Sequence, residues 1–192
     1  MLNKGEIKNI IKVGLILFAI TAISAFVLAG VNAITEPIIA NNNAIKEKEA
    51  MQKVLPDVTF MDENLAQMLS NTDISAIYEA KNKDNENAGY VVMLSSNGYG
   101  GAISMVVGIN ADFTVSGIDI ISQSETPSLG ARCIEDDFKA RYVGKMSGIE
   151  VVKNGATGNS IDAISGATVT SKAVTKGVNT AIEAVELIAG GK

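Results

Sequence analysis

The chain has 192 residues, of which 16 are lysine or arginine and 21 are aspartate or glutamate, giving a net charge of −5 at pH 7. It contains no histidine and one cysteine. This composition excludes Ser-His-Asp and Cys-His hydrolases, histidine-ligated haem, most catalytic zinc sites and cysteine-ligated iron–sulfur clusters. The single cysteine, Cys133, is expected to be a small residue of the core.

The N-terminal part carries an apolar segment long enough to cross a membrane. Residues 13–31 hold no charged side chain, and a helix of this length spans about 30 Å of hydrocarbon. Lys4, Lys8 and Lys12 precede the segment, so the positive charge predicts a cytoplasmic N-terminus and a C-terminal part outside the plasma (inner) membrane. We therefore expect a single-pass anchor over residues 1–31 and one extracytoplasmic domain over residues 32–192.

A cleavable signal peptide is the alternative to a retained anchor. Val31, Asn32 and Ala33 would form an acceptable small-residue cleavage site. The apolar stretch, however, exceeds the roughly 7–15 residues typical of signal peptides. The sequence therefore favours a retained transmembrane helix, with membrane lipid around residues 13–31.

A second helix is predicted over residues 35–55, because apolar positions recur at helical spacing until Pro56 stops the pattern. Its charged residues, Lys46 to Glu49 and Lys53, indicate a solvated face rather than a binding site. This helix would continue or follow the anchor and separate the domain from the bilayer.

The middle of the chain has the composition of an antiparallel meander. Four segments are rich in Val, Ile and Tyr, and a polar turn at residues 82–87 joins the first two. The predicted strands are residues 75–80, 90–94, 104–109 and 114–121.

The last third of the chain is predicted to add helices that pack on the sheet. Residues 129–142 mix charged and apolar side chains in a helical segment, and residues 149–152 form a further strand. A final helix over residues 168–189 places one apolar stripe against the sheet. Its members are Val174, Val178, Ile182, Val185 and Ile188. The predicted fold class is α+β, with a mainly antiparallel sheet and packed helices.

Residues 162–171, at the head of that helix, read Asp-Ala-Ile-Ser-Gly-Ala-Thr-Val-Thr-Ser and indicate an anion site. Small residues let the backbone approach a ligand, and the hydroxyls stand where a helix leaves its first amides unsatisfied. A phosphate suits such a position because the helix dipole favours negative charge there. The other interpretation is a Ser or Thr cap on an ordinary helix.

This segment resembles the acceptor motif of the FMN-binding domain family, which reads Asp, two variable residues, Ser or Thr, and then Gly-Ala-Thr. The matching residues are Asp162, Ser165, Gly166, Ala167 and Thr168. The resemblance implies that FMN is joined through its phosphate to the side-chain oxygen of Thr168. It also implies that Asp162 orients the acceptor or serves the attaching enzyme, with helix capping as the alternative role for Asp162.

Two further segments are similar to the same family. Residues 98–110 resemble its glycine-rich turn entering a strand, and residues 125–130 resemble its Glu-Thr-Pro-Gly-Leu-Gly loop, with Ser128 in place of the usual glycine. The resemblance implies that both segments lie against the flavin. The cofactor-binding residues it adds are Tyr99, Gly100, Glu125, Thr126, Leu129 and Gly130.

Within this family, the short chain with one apolar helix is most similar to the G subunits of Rnf complexes. That resemblance implies a covalent-FMN electron carrier in a membrane-bound ion-translocating ferredoxin:NAD oxidoreductase. Its partners would be the other membrane and peripheral subunits of the complex and, during maturation, a flavin transferase that takes FMN from FAD. The alternatives are the C subunit of the sodium-pumping NADH:quinone reductase, a stand-alone extracellular flavin carrier, and a non-redox scaffold.

Charge and motifs narrow the other possibilities. The first 31 residues hold three lysines and one glutamate, so the remainder has 13 basic and 20 acidic residues, which gives no electrostatic reason to bind nucleic acid. No Gly-x-Gly-x-x-Gly fingerprint follows a predicted strand. We therefore expect no independent substrate or nicotinamide site.

Overall fold

The computed structural model describes residues 4–61, 64–69 and 73–190. The chain divides into two compact units, Met1–Ile45 and Lys46–Lys192. The boundary predicted near residue 32 concerns where the chain leaves the membrane, and it stays a prediction.

The first unit is the main part of one long helix, α1, which runs over Lys4–Val54. It includes an 18-residue window with a mean hydropathy of 2.4 and no buried residue. The large apolar side chains from Ile11 to Ile45 are each at least 48% exposed. Apolar surface on all sides of a helix is typical of a membrane span rather than of a core helix. The length and composition of α1 therefore suit a membrane crossing.

Helix α1 passes through Pro37 without interruption and ends at Val54. The helix predicted over residues 35–55 is thus confirmed as the continuation of the apolar segment. Its last residues belong to the second unit.

The second unit is built on a five-stranded antiparallel sheet in the order β1-β2-β3-β4-β5. The four predicted strands are confirmed as β2 to β5. The two-residue strand β1 was not predicted, because a segment so short has no readable period. The strands are β1 Thr59–Phe60, β2 Ile74–Lys81, β3 Asn87–Asn97, β4 Ala102–Asn110 and β5 Val115–Ser122.

A 3-10 turn over Leu65–Met68 lies between β1 and β2. After β5 the chain forms three short helical pieces rather than the single helix predicted over residues 129–142. They are the 3-10 turns Gly130–Ile134 and Ala140–Tyr142 and, between them, α2 over Asp136–Lys139.

The strand predicted at residues 149–152 is confirmed as β6, Glu150–Val152, but it lies in a separate two-stranded sheet. Its parallel partner is β7, Ser160–Asp162, which was not predicted. The final helix, α3, covers Thr168–Gly190. The predicted α+β class is confirmed.

Successive residues of the central strands point to opposite faces of the sheet and so belong to two cores. Val92 and Val107 pack with the stripe of α3, whose predicted members are all buried. Val91 and Val106 instead pack under the last turns of α1, with Met51 as a neighbour. Both faces of the sheet are therefore covered, and the start of α3 is fixed near the turn between β3 and β4.

Candidate functional site

A cleft of about 600 Å³ forms where the start of α3 meets the segment after β5 and the turn between β3 and β4. This volume lies within the range of roughly 300–1,000 Å³ found for small-molecule sites. The lining residues are Tyr99, Glu125, Thr126, Leu129, Gly130, Gly166, Ala167, Thr168, Val169 and Thr170. Three segments that are distant in the sequence therefore share one cavity.

Eight of the eleven residues predicted for the cofactor site line this cleft. The other three, Gly100, Asp162 and Ser165, do not. Val169 and Thr170 also line it, although neither is among those eleven; Thr170 was expected only as the alternative attachment site to Thr168. The sequence does show a run of hydroxyl side chains at the start of the helix, which includes Thr170. It does not show which of these hydroxyls face the cleft.

The loop that carries the Ser-Gly-Ala-Thr sequence is a tight turn closed by a buried serine. The amide of Ala167 donates to the carbonyl of Ile164 at 2.9 Å, and Gly166 between them has a φ of +76°, which glycine adopts without strain. The hydroxyl of Ser171 accepts from the amide of Ile164 at 2.9 Å and donates to the carbonyl of Ala167 at 3.0 Å. Ser171 thereby fixes both ends of the turn.

The start of α3 presents free amides beside Thr168. The first hydrogen bond of the helix runs from the amide of Ser171 to the carbonyl of Ala167. The amides of Thr168, Val169 and Thr170 therefore precede the helical ladder and have no helical acceptor. None of the described residues that line the cleft is a lysine or arginine. The groups that favour an anion at this end of the cleft are therefore the backbone amides and the helix dipole, a typical setting for phosphate.

Glu125 lies beneath the cleft and is 6% exposed. Its Oε1 atom accepts from the amide of Gly100 at 2.9 Å, and its Oε2 atom accepts from the hydroxyl of Thr170 at 2.5 Å. Thr170 is itself 1% exposed. One carboxylate thus joins the turn after β3, the segment after β5 and the first turn of α3.

The packing around this carboxylate requires glycine at two positions. A Cβ atom on Gly130 would lie 2.6 Å from both Glu125 Oε2 and Thr170 Oγ1. A Cβ atom on Gly98 would collide with Glu125 Oε1 and would lie 2.8 Å from Ile103 Cδ1. These two glycines let the three segments approach one another closely.

The open side of the cleft is apolar. Tyr99, Leu129 and Val169 are 75%, 43% and 54% exposed, although all three line the cleft. A planar aromatic ligand would remove such surface from water, which is favourable. The site therefore combines an apolar rim with an anion-binding helix end, which fits the ring and the phosphate of FMN.

Asp162 does not cap α3, so that interpretation of its role is wrong. The residue ends β7, and its Oδ1 atom accepts from the amide of Ala156 at 2.9 Å. Helix α3 begins only at Thr168, too far along the chain for Asp162 to occupy the capping position next to its first turn. The part of Asp162 in flavin attachment stays a prediction.

Cys133 is fully buried in the core that includes α3. Burial, with a smaller contribution from the nearby charge of Glu125, raises the pKa of its thiol to about 11. The thiol is therefore protonated at neutral pH and unreactive. This confirms the prediction that Cys133 is a small core residue.

Two family models match the chain. The FMN-binding domain matches residues 98–183, which include all the segments that line the cleft. The RnfG N-terminal region matches residues 1–54, which include the whole of α1.

Curated relatives match over nearly the whole chain. The G subunit of the proton-translocating ferredoxin:NAD(+) oxidoreductase complex of Clostridium ljungdahlii is 36% identical over 171 residues, covering 88% of each chain. The G subunit of the Na(+)-translocating ferredoxin:NAD(+) oxidoreductase complex of Acetobacterium woodii is 37% identical over 191 residues, covering 92% of this chain and 91% of its own.

Among solved structures, NqrC of Shewanella oneidensis has a similar fold. Its TM-score is 0.53 at 19% identity, and the likeness covers 67% of this chain and 64% of that one. At this identity the comparison supports the fold alone.

Proposed function

Because the chain belongs to the family of G subunits of Rnf-type ion-translocating oxidoreductases and carries an FMN-binding domain, we propose that it is an electron-carrier subunit of such a complex. In this proposal FMN is attached covalently, through its phosphate, to Thr168. The partners of the chain are the other membrane and peripheral subunits of the complex.

The observation that carries the proposal is the position of the Thr168 hydroxyl. Thr168 lines the cleft and is the first residue of α3, next to amides that have no helical acceptor. A phosphate esterified to this oxygen would accept hydrogen bonds from those amides and meet the positive end of the helix dipole. The same residue thus supplies a chemical attachment point and a site for the charge.

Attachment requires a donor of FMN, and FAD serves this role by its chemistry. The Thr168 oxygen forms a new bond to the phosphorus that carries riboflavin, and the pyrophosphate bond of FAD breaks. AMP leaves, and the hydroxyl proton passes to the base of the flavin transferase. No electron is exchanged in this step, so it needs no oxidant or reductant.

The neighbouring hydroxyl of Thr170 is a poor acceptor for two reasons. Thr170 is 1% exposed, and its hydroxyl already donates to Glu125. Attachment there would require breaking that hydrogen bond and opening the packed core around it. Burial therefore favours Thr168 over the second threonine of the same motif.

Bound FMN supplies one- and two-electron redox chemistry, and the residues of the chain hold and cover it. Tyr99 and Leu129 provide apolar surface for the ring, and Thr126 provides a hydroxyl at the rim. A covalent tether prevents loss of the cofactor on the outer side of the membrane, where it would not be replaced. The chain then passes electrons between neighbouring redox centres of the complex.

We infer the arrangement of the chain in the membrane from the composition of α1 and the charges that precede its apolar part. Its apolar part crosses the plasma membrane once, and the lysines that precede it keep the N-terminus in the cytoplasm. The second unit, with the cleft, lies outside. Membrane lipid surrounds the exposed apolar side chains of the helix.

The C subunit of the sodium-pumping NADH:quinone reductase is less well supported as an assignment. Two curated G subunits align at 36% and 37% identity over 88% or more of both chains, and the RnfG N-terminal region matches residues 1–54. The G-subunit role is therefore the one we propose.

The test is the variant Thr168→Val in the full chain, coexpressed with a flavin transferase. Valine has nearly the shape of threonine but lacks the hydroxyl, so the domain should fold without an adduct. The control is Thr180→Val, which makes the same chemical change further along α3. Intact mass should show FMN less one water on the wild type and on the control, and none on Thr168→Val. A fluorescent band of Thr168→Val on a denaturing gel would refute the assignment.

A further inference from the structure

We propose that Glu125 is a positioning residue for flavin attachment: it acts through Thr170 to present the hydroxyl of Thr168 to the cleft, and it does not contact the flavin phosphate. The inference rests on the proposed attachment at Thr168. It differs from the prediction that Glu125 binds the cofactor directly.

The carboxylate of Glu125 is fully engaged by hydrogen bonds within the protein. Both of its oxygen atoms accept hydrogen bonds from the protein, one from the amide of Gly100 and one from the hydroxyl of Thr170. With 6% of its surface exposed, Glu125 has little surface left for a ligand. A carboxylate so enclosed serves the protein geometry, because leaving either oxygen without its donor would cost free energy.

The first turn of α3 orients Thr168 and Thr170 differently. Successive residues of a helix are rotated by about 100°, so residues two positions apart point to nearly opposite sides. Thr170 also lines the cleft, but it is only 1% exposed, and its hydrogen bond to Glu125 holds its side chain inward. Thr168 is thereby turned outward to the cleft, where it is partly exposed.

Loss of the hydrogen bond between Thr170 and Glu125 leaves the other contacts of α3 in place. Ser171 still closes the turn before the helix through Ile164 and Ala167, and the apolar stripe of α3 stays buried. The domain should therefore stay folded, while residues 168–170, which lie between Ala167 and Ser171, lose the hydrogen bond that holds them in one orientation. Attachment should slow because the acceptor hydroxyl is then presented in the productive orientation only part of the time.

The experiment uses the full chain as apoprotein in detergent, with purified flavin transferase and FAD. Four variants are compared with the wild type: Thr170→Val, Thr170→Ser, Glu125→Ala and Glu125→Gln. The control is again Thr180→Val. The rate of FMN attachment is followed by intact mass at several apoprotein concentrations, giving kcat and KM for the acceptor, and thermal unfolding is recorded for each apoprotein.

Thr170→Val and Glu125→Ala should each lower kcat for attachment about tenfold or more, with KM nearly unchanged. Thr170→Ser keeps the hydroxyl and should restore the rate. Glu125→Gln should stay close to the wild type, because its amide oxygen accepts from Gly100 and its amide nitrogen donates to the oxygen of Thr170. A general loss of packing would instead lower the unfolding temperature and would not be repaired by serine.

Each outcome is decisive. A wild type that gains no FMN refutes the proposed function itself. A wild type that gains FMN, together with Thr170→Val and Glu125→Ala at the wild-type rate, overturns only the positioning role. Loss in Glu125→Gln equal to that in Glu125→Ala also overturns it, because the negative charge would then be what matters. If Thr170→Val fails to fold, the two variants of Glu125 decide. Faster FMN attachment in Glu125→Gln than in Glu125→Ala supports the inference, and equal attachment rates oppose it.

Discussion

Thr168 and Thr170 are identical side chains two positions apart, and their surroundings give them different roles. Thr170 is buried against a carboxylate, whereas Thr168 lies at the surface of a cleft beside free helix amides. The sequence presents both as hydroxyls at the head of a helix. Their orientation in the first turn of the helix is what makes Thr168 the candidate for flavin attachment and Thr170 the partner of Glu125.

At the same scale, Cys133 predicts a pH dependence of stability. Its pKa rises from 9.0 to about 11 in the folded protein, chiefly because the thiol is buried. Above pH 9 the unfolded chain loses the thiol proton first, so the free energy of unfolding should fall between pH 9 and 11. Because one pKa unit corresponds to about 1.4 kcal/mol, the free energy of unfolding should be lower by roughly 2–3 kcal/mol at pH 11 and above.

Cys133→Ala tests this, since alanine has no proton to lose. Urea unfolding of the apoprotein at pH 8 and pH 10 should show a smaller decrease for the variant than for the wild type. Tyr142 also has a pKa raised chiefly by burial, with a small contribution from Cys133. Because Tyr142 is present in both proteins, the part of its effect that comes from burial cancels. Equal decreases in the two proteins would contradict the prediction.

At the scale of elements, the end of α1 rests directly on the backbone of two strands. Gly108 of β4 and Gly117 of β5 are paired across the sheet, and Val54 at the end of α1 lies over both. The hydroxyl of Ser116 donates to the carbonyl of Val54 at 2.6 Å. This bond satisfies one of the carbonyls that a helix end leaves without a partner.

Gly108→Ala should therefore destabilise the second unit. Its new Cβ atom would lie 2.7 Å from the carbonyl oxygen of Val54 and would collide with Ser116, and neither strand nor helix end can move without breaking packing. We expect a loss of about 1–3 kcal/mol, as for other overpacked sites. Thermal or urea unfolding of the full chain measures it.

Gly117→Ala is the matched control for that variant. Its Cβ atom would lie 3.4 Å or more from Val54, which is an ordinary van der Waals distance. The control should change the free energy of unfolding by less than half as much. Equal effects of the two variants would mean that strand propensity, and not contact with α1, determines the loss.

A partly buried ion pair joins the pieces after β5 to the sheet. Lys139 of α2 donates to Asp119 of β5 at 2.8 Å and lies 2.9 Å from Asp136. Burial lowers the pKa of Lys139, but its hydrogen bonds to the two aspartates outweigh burial and raise the pKa overall. Lys53 approaches Asp119 only to 3.6 Å and is largely exposed.

Lys139→Met should consequently cost about 2–4 kcal/mol of stability, because Asp119 would keep a partly buried charge without its main partner. Lys53→Met is the control and should cost no more than about 1 kcal/mol, the usual value for an exposed ion pair. Urea unfolding at pH 7 compares the two. An equal loss in the free energy of unfolding for the two variants would contradict this prediction. It would mean that water compensates the charge of Asp119.

Apart from the three-residue strand β6, which was predicted, the sequence predicted the elements that have a regular period and missed those that do not. Strands β2 to β5 and helix α3 carry long alternating or helical patterns, so their residues identified them. Strands β1 and β7 have two and three residues, and residues 129–142 break into short turns whose shape is set by contacts such as Lys139–Asp119. Short pieces take their conformation from the fold, which local sequence does not contain.

For the candidate site, small residues and hydroxyls predicted the location of the cleft but not the bonds inside it. Eight predicted residues line the cavity, since their motifs mark turns and a helix start. The link from Glu125 to Thr170 spans 45 positions, and the closing role of Ser171 depends on how the turn folds back onto it. Neither could be derived from spacing along the chain, because both depend on how the segments meet in space.

At the scale of the whole molecule, charge and hydropathy divide the chain in one consistent way. Three lysines precede the apolar part of α1, and the part after residue 31 carries 13 basic and 20 acidic residues. The basic end is expected to stay in the cytoplasm, where positive loops are retained. The acidic unit, which contains the cleft, is then expected to lie outside the membrane.

This orientation predicts which positions a membrane-impermeant maleimide can reach in intact cells. Asn9→Cys places a thiol on an exposed position of the cytoplasmic end, and Asp137→Cys places one on an exposed position of the second unit. The native Cys133 provides no background, because its thiol is fully buried and its pKa is raised to about 11. Asp137→Cys should therefore react in intact cells, whereas Asn9→Cys should react only after the membrane is permeabilised.

Two comparisons make the labelling result interpretable. The otherwise unchanged chain should stay unlabelled both before and after permeabilisation, which checks that Cys133 is silent. Replacement of Lys4, Lys8 and Lys12 by glutamine should reduce labelling of Asp137→Cys, because the charge difference that orients the helix is then removed. Labelling of Asn9→Cys in intact cells would reverse the topology, and with it the placement of the candidate FMN site outside the membrane.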